Sequence, residues 1–241
     1  MEFKKLWHFV FPSYCIVCEK FGDYLCEDCL NKIPIRIRDF CPICEKNETF
    51  LGKICGICKQ KNKSFFLDGL IVSSYFKHPV LIQSVYLLKY ALLKDLSLPL
   101  AKILAKKINN QIYSNFSFTS VPLHQEKELF RGFNQSILLG RKLQSELLKQ
   151  KITINFIPDL LTRKKNNKAQ MTIKMIQKRK ENIKGCFKLN KSYTTKLPEK
   201  IIIIDDISTT SATLNECAKV LKRNGVKIVW GIVLARQAIR F

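Results

Sequence analysis

Two glycine signatures of nucleotide binding are missing from this chain of 241 residues. No GxxxxGKS or GxxxxGKT stretch occurs and no GxGxxG follows a strand-like run, which excludes the P-loop and dinucleotide-fold routes to a phosphate. Long apolar runs are missing too. The nearest case, from Val80 to Ala105, is broken by Lys89, Lys94, Asp95 and Lys102, whereas a membrane-spanning helix needs about 18 or more uncharged residues in a row. Acidic residues are scarce, 19 against 42 lysines and arginines, for a formal charge of +23. Much of that excess is lysine spread over a chain also rich in Asn and Ile. Charge alone therefore does not establish a polyanionic partner, although it is compatible with one. Cysteine nearly vanishes beyond residue 58, where only Cys186 and Cys217 remain; isolated cysteines of this kind pack as small hydrophobes.

The other eight cysteines form four CxxC pairs in order: Cys15 and Cys18, Cys26 and Cys29, Cys41 and Cys44, Cys55 and Cys58. A two-residue gap lets both sulfurs of a knuckle reach one ion, and two knuckles complete a closed tetrahedral site of the structural kind. Sequential pairing gives one zinc to Cys15, Cys18, Cys26 and Cys29 and a second to Cys41, Cys44, Cys55 and Cys58; a cross-braced arrangement fits the spacing equally. Eight thiolates with two divalent ions would take four charges off the formal total. A disulfide framework is disfavoured, because the opening "MEFKKLWHFVFPSYC" has only a short apolar stretch, ended by Pro12 with no small-residue cleavage site after it. Paired cysteines at metal spacing point to a reducing compartment, and a cytoplasmic protein is expected.

Residues 1–64 are thus read as a small cysteine module and 65–241 as the main domain, long enough to bury a core of its own. In the latter, "DGLIVSSYF" and "FTSVPL" read as strands, and "LIQSVYLLKYALL" and "LPLAKILAKKI" carry apolar residues at helical spacing. "RGFNQSILLGRKLQSELLK" reads as a helix and "INFIPDLL" as strand-like, followed by a polar, lysine-rich span over 163–185. "IIIID" is a fully apolar strand, "ATLNECAKVLKRNG" a helix stopped by Gly225, and "VKIVWGIVLA" a last strand. Alternation of this kind predicts an α/β fold with a largely parallel sheet flanked by helices.

Ligands bind such sheets at the carboxyl ends of the strands. There the chain places "IIIIDDISTTSAT", an apolar strand, two acids and a run of small hydroxylated residues. Outward backbone N–H groups at a helix start carry partial positive charge, and hydroxyls at Ser208, Thr209, Thr210, Ser211 and Thr213, around Ala212, add donors, so a phosphate can be held without lysine. Asp205 and Asp206 stand one step earlier, where the ribose of a 5′-phosphate would lie, and can accept from its hydroxyls or approach a divalent cation.

This stretch resembles the PRPP-binding motif of type I phosphoribosyltransferases. Three further segments narrow the resemblance to the ComF family of competence proteins (ComFC-like), and it spans nearly the whole chain: "LWHFVFPSYCIVC" before and through the first knuckle, "VPLHQEKELFRGFNQSILLGRKL", and "LTRKKNNKAQMTIKMIQKRKENIKGCFKL" with Gln170, Arg179, Asn182 and Gly185 at matching places. The resemblance implies a phosphoribosyltransferase-like domain behind a double zinc-ribbon module. It also implies transfer of ribose 5-phosphate from PRPP with magnesium, and a part in natural transformation with single-stranded DNA and other competence or recombination proteins as partners. Catalytic candidates are then Arg131, as a phosphate clamp, with Asp205 and Asp206; the 163–185 span would be a lid. One departure is Ser211, where the family has glycine; a side chain at a positive φ costs roughly 1 to 2 kcal/mol. Lys89 and Tyr90 also match a family pattern, yet on a helix such a pair is ordinarily surface lysine and core aromatic. His124 is read as structural. Two other readings are a nucleobase-salvage phosphoribosyltransferase, for which no base-reading hood is seen, and a non-catalytic nucleic-acid-binding module with a relic PRPP cradle.

Overall fold

The computed structural model describes residues 12–108, 113, 115–164, 183–193 and 197–237. Five strands form one sheet in the order β1-β7-β6-β2-β3: β1 Gly69–Tyr75, β2 Ser117–Ser120, β3 Asn155–Ile157, β6 Lys200–Ser208 and β7 Ile228–Arg236. Every pairing in it is parallel. The apolar run of β6 explains its central place, since a strand covered on both faces cannot alternate apolar with polar. Ile202 and Ile204 enter one core cluster and Ile201 and Ile203 the other.

Seven helices are numbered along the described residues: α1 Glu27–Asn31, α2 Gly56–Lys61, α3 Pro79–Tyr90, α4 Ser97–Ala105, α5 Gln125–Arg131, α6 Gln135–Lys149 and α7 Ala212–Arg223. Leu81, Val85 and Leu88 of α3, Leu100 and Leu104 of α4, and Leu139 and Leu143 of α6 pack in the first cluster. Leu214, Cys217, Ala218 and Leu221 of α7 pack in the second. Cys186 is buried there as well. The expected α/β sheet flanked by helices is therefore what the chain forms.

The two ends of the cysteine-rich segment meet this body differently. Cys15, Leu25, Cys29, Leu30 and Ile33 belong to the same core cluster as α3, α4 and α6. Further on, a 3-10 turn at Phe50–Gly52 covers the edge strand β1, which blunts an edge otherwise open to another chain. Gly52 lies so close that a Cβ there would stand 2.1 Å from the Leu70 carbonyl oxygen.

Three segments depart from their sequence reading. The helix expected from "RGFNQS" onward is two helices: Arg131 ends α5, Gly132 takes a left-handed φ of 69° as its C-cap, and Asn134 caps α6. The strand-like "INFIPDLL" splits, because Pro158 lacks the N–H a ladder needs; β3 stays in the main sheet, whereas β4 Leu161–Arg163 leaves it to pair antiparallel with β5 Phe187–Leu189. Finally, β6 runs three residues beyond "IIIID", so both aspartates are strand residues. Of the 163–185 span, 165–182 lies outside the described residues, and with it Gln170, Arg179 and Asn182; the apolar lead before Pro12 does too.

Candidate functional site

Successive strand residues point to opposite faces, and at the end of β6 this separates the two carboxylates. Asp206 is 2% exposed. The Lys89 ammonium of α3 lies 2.9 Å from one of its oxygens and 2.8 Å from the other. Burial pulls the Lys89 ammonium down, but the charges of Asp206 and then Asp205 outweigh it and hold the group above the usual lysine range. The Asp205 Oδ1 accepts from the Ser136 hydroxyl at 3.0 Å and from the Asp206 N–H at 2.9 Å. Burial first, and the neighbouring Asp206 charge second, push the Asp205 carboxyl up to about 7 despite Lys89. One acid is thus neutralised by an ion pair, and the other is held well above the usual carboxylate range.

Sequence reasoning missed Lys89 and Ser136, yet both carried a signal. Leu81, Val85 and Lys89 share one i, i+4 stripe of α3, so the lysine continues a buried face. Ser136 follows from the cap of α6. The Asn134 Oδ1 accepts from the Ser136 N–H at 2.9 Å while its Nδ2 donates to the Val121 carbonyl at 3.0 Å. "GFNQS" therefore ties the start of α6 to the end of β2 and presents Ser136 to Asp205. The His124 Nδ1 accepts from the Glu126 N–H at 3.3 Å as the cap of α5, a structural use.

Beyond Asp206 the chain turns through Ser208, Thr209, Thr210 and Ser211 into α7. Ser211 is buried and left-handed, with φ 58° and ψ 11°. Its hydroxyl lies 3.2 Å from that of Ser208. Thr210 Oγ1 accepts from the Ala212 N–H at 3.3 Å, and Thr213 lies in the first turn of α7. With no side-chain cap on Ser211, the helix start has the backbone donors and dipole of an anion cradle. Replacing Ser211→Gly removes the Cβ penalty of the left-handed conformation and should stabilise the protein by about 1 kcal/mol. A urea titration should show a higher midpoint at an unchanged slope; a lower midpoint would mean that the Ser208 contact outweighs the strain.

Arg131 donates from Nη1 to Gln135 Oε1 at 3.0 Å, and its guanidinium lies 5.2 Å from the centre of the Tyr90 ring. It belongs to a group of cations that feel one another. Lys127 is held below the usual lysine range by its partial burial, and then by Arg163, Arg131 and Lys89. Such a concentration of like charge on α3, α5 and β4 suits a polyanion.

The cysteines group sequentially, which resolves the pairing the spacing left open. Cys15, Cys18, Cys26 and Cys29 bring their sulfurs within 4.8 Å of one another, and so do Cys41, Cys44, Cys55 and Cys58. Backbone N–H groups outweigh burial at Cys15, bringing its thiol down to about 6. At Cys55 the backbone of Cys58 and the Asn47 amide, 3.3 Å away, bring the thiol down to about 6. Burial and three neighbouring sulfurs push Cys29 and Cys58 up to about 12. Four thiolates this close require a cation to ionise together, and the all-sulfur, closed donor sets fit zinc.

The second cluster and the hydroxyl loop are joined through one side chain. Arg236, at the end of β7, donates from Nε to the Thr209 carbonyl at 3.3 Å and from Nη2 to the Pro42 carbonyl at 2.8 Å. It also pairs with Glu45 at 2.8 Å. Pro42 lies within the Cys41 to Cys44 knuckle, and Glu45 directly follows it.

These features define an α/β protein with a carboxylate pair and hydroxyl loop at the carboxyl edge of a parallel sheet, carrying two four-cysteine clusters. No protein-family model matches the chain. It is 26% identical over 220 residues to the competence protein F of Haemophilus influenzae, covering 88% of this chain and 90% of that protein. It is 27% identical over 230 residues to the DNA utilization protein YhgH of Escherichia coli, covering 90% and 94%. To the competence protein ComFC of Streptococcus pneumoniae it is 27% identical over 216 residues, covering 88% and 87%. The likeness to these competence and DNA utilization proteins thus extends over most of the chain and most of each relative.

Proposed function

We propose that the protein binds PRPP in the loop after β6 and serves the handling of DNA taken up by the cell. The observation that carries this reading is the succession of Asp205, Asp206 and the hydroxyl loop, with a left-handed Ser211, into the start of α7. The loop's backbone and hydroxyls would hold the 5′-phosphate, and Asp205 the ribose hydroxyls. Arg131 would contact the pyrophosphate arm as a bidentate donor. Magnesium, when bound with PRPP, would neutralise the leaving pyrophosphate. The names of its relatives, competence protein and DNA utilization protein, support the cellular role, and zinc in the two cysteine clusters would be structural.

A second reading is favoured by Ser211 and by the Lys89–Asp206 pair: a binding module that keeps the cradle without turnover. Asp206 is already engaged, so a ribose must compete with an ammonium for it. Calorimetric titration of PRPP with magnesium into the zinc-loaded protein, beside Asp205→Asn, tests the site. We expect binding that the variant weakens about tenfold or more, the scale of a lost charge-assisted hydrogen bond. No heat with either protein overturns the PRPP reading. Given binding, pyrophosphate release on adding a nucleobase points to salvage, release on adding single-stranded DNA points to modification of the strand, and none with either supports the binding module.

A further inference from the structure

Helix α3 is inverted with respect to ordinary amphipathic logic. Its lysine turns inward to Asp206, and its last two aromatics turn outward: Tyr86 is 59% exposed and Tyr90 57%. Aromatic side chains bury large areas and normally repay it in a core. Here the two rings lie against each other, centroids 4.8 Å apart and tilted by 44°, on the protein's outside. The Arg131 guanidinium covers the Tyr90 ring. Phe130, the next residue back, is 81% exposed, and α5 contains no buried residue. The Lys94 ammonium, just past the end of α3, lies 5.2 Å from the centre of the Phe133 ring.

Exposed aromatics interleaved with cations match one chemistry closely. A single-stranded nucleic acid offers flat bases to stack on the rings and phosphates for the ammonium and guanidinium groups. A duplex hides its base faces. We propose that Tyr86, Tyr90 and Arg131 form a stacking platform for one or two bases of single-stranded nucleic acid, with Lys127, Arg163 and Lys94 receiving the adjoining phosphates. The platform deepens the DNA-handling part of the proposed function and rests on it. It occupies the outer face of the same helix whose inner face holds Asp206, so a strand seated there lies beside the carboxylate pair. The excess of positive charge, 42 lysines and arginines against 19 acids, suits this occupant better than an acid-poor protein surface.

The test is fluorescence anisotropy of a labelled oligo-dT strand, an abasic strand of equal length and a duplex, with the full zinc-loaded chain. Parent, a Tyr86→Ala, Tyr90→Ala double variant and a Tyr86→Phe, Tyr90→Phe double variant are compared at several salt concentrations, with circular dichroism to check folding. The alanine pair should bind oligo-dT about tenfold more weakly or worse, the loss expected when stacked bases lose their ring partners. Its salt slope should not change, because no charge is removed. The phenylalanine pair should bind like the parent, and the abasic strand should bind all three proteins equally. Equal oligo-dT affinity for parent and alanine pair overturns the platform while leaving the DNA reading intact, and would assign the tyrosines to a protein partner. Equal losses on duplex and single strand also overturn it. Absence of any oligo-dT binding by the parent at low salt removes the DNA reading itself.

Discussion

Removing the metal from the purified protein with a strong chelator is expected to unfold more than the cysteine segment. In small zinc modules at neutral pH the ion contributes roughly 10 to 16 kcal/mol of apparent folding energy, comparable with the roughly 5 to 15 kcal/mol that separates a whole folded domain from its unfolded chain. Here the first cluster is continuous with the main core: Leu25, Leu30 and Ile33 pack in the cluster that contains Leu100, Leu104, Leu139 and Ile202. Losing the ion that organises them opens that core to water. None of the second cluster's cysteines belongs to either core cluster, and the turn between its knuckles covers an edge strand, so its loss should cost less. Elemental analysis should find two zinc ions per chain, and one in each of Cys29→Ser and Cys58→Ser. Cys29→Ser should lower the melting temperature further. A chelated, zinc-free protein that melts as the parent does would show that the clusters are ordinary thiols.

The second large effect concerns Lys89. Lys89→Met keeps the length and packing of the side chain but strands the buried Asp206 carboxylate, and breaking a buried pair from one side costs about 3 to 5 kcal/mol. Removing both charges together, as Lys89→Met with Asp206→Asn, leaves neither an unpaired ammonium nor an unpaired carboxylate and should recover most of that loss. Urea unfolding of the parent, both single variants and the double variant closes the cycle. Additive losses would mean that the 2.8 Å contact contributes little, and that Asp206 finds another cation. A recovered double variant that no longer binds PRPP would mark the pair as retained for its charge rather than for stability.

How much of this was legible in the sequence depends on whether the signal was local. The four CxxC pairs, the apolar run of β6, the aspartates after it and α7 up to Gly225 are all contiguous patterns, and each appears where its pattern puts it. Misread segments are those where a single residue changes direction: Gly132 divides two helices and Pro158 divides two strands. Least legible were contacts between distant residues. Lys89 and Asp206 are separated by 117 positions and Arg236 and Pro42 by 194, so nothing near either residue announces its partner. The inversion of Lys89 and Tyr90 belongs to the same class, because which face of α3 is wet depends on where the sheet lies.

Anyone seeking a minimal version of this protein would be tempted to cut near residue 64 and keep the sheet. Arg236 makes that cut a poor one. Its nearly buried guanidinium is held by Pro42 and Glu45 on the discarded side and by Thr209 on the retained side. Truncation would leave a cation in the sheet with one backbone acceptor in place of three partners, against the loop we propose as the PRPP site. The cysteine segment is better regarded as the keystone of that loop than as an attachment to the fold, and a shortened protein that failed to bind PRPP would say nothing about the intact one.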